Sequence, residues 1–215
     1  MTKLARFNKK DEKKAEVLLY GDIGSFWWDG ISAKDFAHDL AALGELDEIN
    51  LRINSPGGDV ADGFAIYNTL NLHSARIIVD VDGLAASIAS VIAMAGDEIR
   101  MAENASLMIH DPWTFVMGDS AELKRQAAVL DILQGKLAGV YAAPTAQPLD
   151  TIKALMSAET WMTAAEAKEK GFCQTIVPNN APAPEDRQPA NRWLQLFAAR
   201  CPKAPGWATD SAKAH

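Results

Sequence analysis

Ile49-Asn50-Leu51-Arg52-Ile53-Asn54-Ser55-Pro56-Gly57-Gly58 is the stretch on which the fold turns. Ile49, Leu51 and Ile53 alternate with polar residues, the two-residue period of a strand with one face on a core. Pro56-Gly57-Gly58 stops that strand, and Val60, Phe64, Tyr67 and Leu70 then recur at helical spacing. A strand, a glycine turn and a helix make one βα unit.

The same order is legible on both sides. Residues 15–20 read as a strand, 21–30 as a loop carrying Trp27 and Trp28, and Ser32 with Asp35 as a capping box for a helix through Phe36, Leu40 and Leu43 that Gly44 ends. Downstream, residues 76–81 read as a strand ending at Gly83, before a small-residue helix from about 85 to 95. The run β, α, β, α, β, α predicts an α/β fold with right-handed crossovers and a mostly parallel sheet. In such sheets the active site gathers at the carboxyl ends of the strands, where Gly57-Gly58 and Gly83 both fall.

Residues 98–101 and 106–110 read as two further short strands. Asp119 with Glu122 caps a helix of about 25 residues, on the order of 37 Å at 1.5 Å per residue, through Leu123, Ala127, Leu130, Leu137 and Tyr141 until Pro144. That length exceeds the needs of one compact domain and suits packing against another subunit. Thr163 and Glu166 form a second capping box, Gly171 closes its helix, and residues 172–177 read as a last strand. The domain so read spans 15–177, between a flexible charged segment, 1–14, and a tail, 178–215. That tail has a Pro- and Asn-rich linker, 178–190, and one amphipathic helix, 191–200.

Bulk properties exclude several classes. Lys and Arg number 21 against 28 acidic residues, a net charge of −7 without a basic cluster, so nucleic acid is not an expected partner. Cys173 and Cys201 match neither a metal spacing nor a disulfide framework, which fits a reducing compartment; no metal or other cofactor is expected. The N-terminal segment lacks the apolar run of a signal peptide, and the longest apolar run, 88–95, is too short for a bilayer. A cytoplasmic protein with no membrane partner is expected.

Nucleophilic catalysis needs a hydroxyl, a base and donors for the oxyanion. Ser87, in Asp82-Gly83-Leu84-Ala85-Ala86-Ser87-Ile88, stands at a strand-to-helix junction among small residues, although the same residues suit close packing of a buried helix. Gly57-Gly58 offers unobstructed backbone N–H groups, or simply a tight turn. Of four histidines, His38 lies on a polar helix face, His73 follows a helix end and His215 is terminal. His110, after Ser106-Leu107-Met108-Ile109, sits at the edge of an apolar strand, where a lone histidine is more often structural and one paired with Ser87 is a base. As the carboxylate that orients it, Asp111 is a poor choice because neighbouring strand side chains point to opposite faces. Glu159, among apolar residues at a helix-to-loop transition, is the better choice, or else a solvated charge.

Ile53-Asn54-Ser55-Pro56-Gly57-Gly58, the Gly83 to Ser87 segment, Met108-Ile109-His110 and Met162-Thr163-Ala164-Ala165-Glu166-Ala167, in this order, resemble the Clp protease proteolytic subunit family. The resemblance spans residues 17–177. It implies the repeated β-β-α superhelical fold shared with crotonases, a handle helix at 119–143, and a serine peptidase. In that reading Ser87 is the nucleophile, His110 the general base, Glu159 the third member where cellular enzymes carry Asp, and the N–H groups of Gly57 or Gly58 and of Ile88 the oxyanion donors. It further implies polypeptide substrates, self-association into heptameric rings and an AAA+ ATPase partner, though the N-terminus lacks a match to the family's ATPase-engaging loops. Glu159-Thr160-Trp161-Met162-Thr163 is similar to phage and prophage head-maturation members. Two rivals remain: a catalytically silent ring protein, and a crotonase-type acyl-CoA enzyme, which would not need Ser87 and His110 together.

Overall fold

In the computed structural model, which describes residues 5–24 and 30–179, the chain opens with strands β1 (Ala5–Lys9) and β2 (Lys14–Tyr20). Helix α1 (Ala33–Ala41), strand β3 (Glu48–Ser55), helix α2 (Val60–Asn71), strand β4 (Arg76–Ala86) and helix α3 (Ile88–Ala93) follow. Next come β5 (Glu98–Ala102), β6 (Ser106–Ile109), α4 (Ser120–Thr145), α5 (Leu149–Ser157), β7 (Thr160–Thr163), α6 (Ala164–Glu169) and β8 (Thr175–Val177). The main sheet runs β1-β2-β3-β4-β5-β8, and β6 branches from β4 to pair with β7. All pairs are parallel except β1 with β2 and β6 with β7.

One face of the sheet carries Val17, Leu19, Ile49, Leu51, Ile53, Val79, Val81, Ile99 and Met101, all fully buried with Phe36 and Leu40 of α1 and Ile66 and Leu70 of α2. Each such side chain contributes on the order of 1.5–3 kcal/mol, so this layer fixes the register. On the opposite face charged side chains pair across strands. Arg52 Nε donates to Asp82 Oδ2 at 2.8 Å, Tyr20 donates to the same oxygen at 2.5 Å, and Arg100 grips Asp80 through Nε and Nη2 at 2.7 and 2.6 Å.

Two expectations are corrected. The segment 1–14 is not flexible throughout: Ala5–Lys9 is a strand paired antiparallel with β2. Phe7 is the reason, packing edge-on against Phe36 at 5.3 Å between ring centroids, while the lysines that suggested disorder cluster around the turn. Nor is Gly83 a turn. β4 continues through it to Ala86, and the following helix is confined to Ile88–Ala93. At this point the β3 register shifts, from Ile53↔Val81 to Ser55↔Ala85, and β4 leaves β5 to pair with β6. A Cβ on Gly83 would stand 2.9 Å from Asn54 Oδ1, so glycine there serves close approach.

The long helix begins where Asp119 caps the N–H of Glu122 at 2.9 Å and runs 26 residues, on the order of 39 Å, taking Pro144 into its last turn. Leu137, Ala138 and Tyr141 anchor one end in the core. Farther out Leu123, Val129 and Ile132 are 46%, 48% and 59% exposed, apolar side chains that the described residues leave uncovered. Helix α5 ends just ahead of Glu159, as the helix-to-loop reading there expected, whereas strand β7 was not anticipated and β8 is shorter than the expected 172–177. Trp27, Trp28, Cys201, the helix 191–200 and nearly all of the linker 178–190 lie outside the described residues.

Candidate active site

Ser87 links β4 to α3 with φ 55° and ψ −131°. A non-glycine residue in that region costs on the order of 1–3 kcal/mol and persists only where its surroundings impose it. Here its N–H donates to Met108 O at 2.9 Å, which ties the turn to the end of β6. The register Ala86↔Met108 then brings the next residue of β4's path beside His110, and Ser87 Oγ lies 2.7 Å from His110 Nε2. A hydroxyl and an imidazole 23 positions apart thus lie at hydrogen-bond distance, the arrangement that nucleophilic catalysis requires.

Burial holds the His110 pKa below the ordinary histidine value, and the charges of Glu159 and Asp111 oppose that shift without reversing it. The imidazole is therefore neutral near pH 7 and can accept the hydroxyl proton. The other described histidines are elsewhere: His38 is exposed beside Asp39, and His73 Nδ1 accepts the N–H of Ala75 at 3.0 Å.

Gly57 and Gly58 both take positive φ, 96° and 147°. A Cβ on Gly57 would stand 2.7 Å from Ser87 Cβ and 3.2 Å from Ile88 N, so this turn lies directly against the Ser87 junction. The Gly57 N–H donates to Ser55 Oγ at 3.1 Å. Gly58 N–H and Ile88 N–H donate to no other described residue. Ile88, the first residue of α3, directly follows Ser87, and Gly58 directly follows the glycine packed against it.

Glu159 stands between α5 and β7 with φ 51°, half-buried, its Oε1 3.5 Å from Trp161 Nε1. Among the described residues no hydrogen bond joins it to His110, so it acts on the imidazole through its charge. Asp111 is engaged structurally: Gln134 of α4 donates to Oδ1 at 2.8 Å and Ser157 of α5 to Oδ2 at 2.7 Å. It thereby pins the end of α5, two residues ahead of Glu159.

Three residues that sequence reasoning missed converge on the junction. Ser55 orients the Gly57 turn, and Ser90 and Tyr141 form a buried hydroxyl pair, 2.8 Å apart, behind Ser87. Only the spacing of Ser90 from Ser87, one helical turn, offered a local signal. No group of three or more His, Cys, Asp or Glu among the described residues is placed to hold a metal ion, and no described helix is long and apolar enough to cross a membrane.

The Clp protease family profile matches residues 13–180. The ATP-dependent Clp protease proteolytic subunit 1 of Mycobacterium tuberculosis is 34% identical over 140 residues, 64% of this chain and 70% of the relative. The protein of the same name from Mycobacterium leprae matches to the same extent. A solved mutant of ClpP1 from Listeria monocytogenes superposes with a TM-score of 0.67 at 25% identity, covering 77% of this chain and 92% of that one. On the span of these matches, the chain belongs to the Clp protease family of serine endopeptidases.

Proposed function

We propose that Ser87 is the nucleophile and His110 the general base of this peptidase, that the Gly58 and Ile88 amides stabilise the oxyanion, and that Glu159 stabilises the imidazolium as it forms. The observation that carries this reading is the 2.7 Å contact between Ser87 Oγ, on a strained turn, and the Nε2 of a neutral His110. In acylation Nε2 takes the hydroxyl proton while Oγ bonds to the peptide carbonyl carbon. The C–N bond then breaks, the amine leaves with that proton, and water releases the acyl group by the same path in reverse.

The exposed apolar side chains of α4, Leu123, Val129 and Ile132, support self-association, and family likeness supports heptameric rings joined through this helix as a handle, with polypeptide substrates cleaved inside. An AAA+ ATPase partner is supported by the name of the mycobacterial relatives. The Glu159-Thr160-Trp161-Met162-Thr163 sequence supports a phage head-maturation role, in the cytoplasm.

A fluorophosphonate probe followed by peptide mapping tests the chemistry, and light scattering the assembly. Labelling of Ser87 in assembled protein, abolished in Ser87→Ala, is expected. The missing hydrogen bond between Glu159 and His110 favours one rival, a silent ring protein, and unlabelled Ser87 in intact particles would establish it instead.

A further inference from the structure

The mechanism leaves a buried pair of hydroxyls unused. Tyr141 of α4 and Ser90 of α3 are 2% and 0% exposed, and their oxygens are 2.8 Å apart. Ser90 Oγ also lies 2.6 Å from the carbonyl oxygen of Ser87 and 3.0 Å from that of Met108. We infer that Ser90 and Tyr141 are positioning residues that set the separation of the nucleophile from the base, a reading that rests on Ser87 being the nucleophile.

Met108 O is the acceptor of the Ser87 N–H, and it lies on the strand that ends in His110. One hydroxyl therefore touches the backbone of both segments whose side chains meet at 2.7 Å. The proton count gives the arrangement a direction. Ser90 has one proton, and its shortest contact makes Ser87 O the acceptor; its own lone pair then accepts the proton of Tyr141. Burial pushes the Tyr141 pKa well above its ordinary value, so the phenol remains a donor throughout the working pH range. The chain Tyr141 to Ser90 to Ser87 O, with the Ser90 N–H at 3.0 Å and the Tyr141 hydroxyl at 3.5 Å from the same carbonyl, braces a residue whose φ of 55° has no intrinsic support.

Packing alone does not call for these hydroxyls. Tyr141 contacts Phe172 at 5.8 Å between ring centroids, a contact phenylalanine would make equally, and alanine is the helix former at a site the size of Ser90. A buried hydroxyl is retained where its hydrogen bond does something.

The test compares wild type, Tyr141→Phe, Ser90→Ala and the double variant as assembled particles, by fluorophosphonate labelling rate at Ser87 and by peptide hydrolysis. Small displacements at a reacting centre cost up to about 100-fold, so Ser90→Ala should slow labelling and kcat by roughly 10- to 100-fold. Tyr141→Phe, which leaves Ser90 as a donor, should slow them by roughly 3- to 10-fold. KM should stay constant, the acid limb of the pH profile should not move, and the double variant should match Ser90→Ala, as expected of links in one chain. Labelling of both single variants at the wild-type rate would overturn the inference, as would slowing that tracks only a loss of assembled protein. Failure of both single variants to assemble would overturn it too, making the pair a determinant of folding. If wild type itself leaves Ser87 unlabelled, the nucleophile assignment has failed instead.

Discussion

His110 Nε2 lies 2.7 Å from Ser87 Oγ inside a site where burial outweighs two nearby carboxylates in setting the imidazole's proton affinity. Because the His110 pKa is lowered, the base form survives to more acid pH than an ordinary histidine, of pKa about 6.5, would allow. The acid limb of kcat/KM for peptide hydrolysis should therefore fall below that value. The charge of Glu159 raises the pKa, so Glu159→Gln should shift the limb further toward acid. A limb at or above the ordinary value, or an alkaline shift in the variant, would contradict this electrostatic account.

Gly57 is constrained from two directions, by a φ of 96° and by Ser87 Cβ and Ala86 O, each 2.7 Å from where its own Cβ would be. Gly57→Ala should cost about 2–4 kcal/mol in urea unfolding and remove activity even from the folded fraction, since the junction must give way. Gly139→Ala on α4 is the control. Nothing stands within 4 Å of its added Cβ, and it should gain about 0.5–1 kcal/mol from helix propensity. Equal effects at the two sites would refute the steric argument.

What could be read in advance follows the range of the interactions involved. The alternation Ile49, Leu51, Ile53 and the cap Asp119 with Glu122 are local, and both β3 and α4 appear as expected. Gly83 was misread because glycine serves both turns and close approach, and only the position of Asn54, on the neighbouring strand, tells them apart. The positive φ of Ser87 and Glu159 runs against their propensities and is imposed from outside. The bond between Ser90 and Tyr141 joins residues 51 apart and has no local trace. Elimination among histidines left His110 as the candidate base, and its contact with Ser87 depends on β4 changing partner from β5 to β6.

The charged sheet face offers a separate test of what holds the fold. Arg52 is 8% exposed and forks onto Asp82, which also accepts from Tyr20. Arg52→Met should destabilise by about 2–4 kcal/mol, because it leaves a carboxylate with half its partners. Arg52→Met combined with Asp82→Leu should return to within about 1 kcal/mol of wild type, since apolar replacements of a buried ion pair are close to neutral. Additive losses in the double variant would show instead that the pair contributes stability outright.

Glu159 separates charge from geometry most sharply. A carboxylate hydrogen-bonded to a catalytic imidazole is worth about 10⁴-fold when its amide replaces it, because the tautomer is lost. Here no such bond forms among the described residues, so Glu159→Gln should lower kcat by only about tenfold, the share due to its charge. Its φ of 51° adds a second consequence. Glu159→Gly relieves that backbone and should raise stability by up to about 1 kcal/mol while lowering kcat to the level of the Gln variant. Thermal unfolding and steady-state kinetics on the two variants give both readings. A loss near 10⁴-fold in Glu159→Gln would mean that the side chain swings onto Nδ1 when substrate binds, and a lower melting temperature in Glu159→Gly would mean that the strained conformation is held by contacts of the side chain rather than tolerated for its charge.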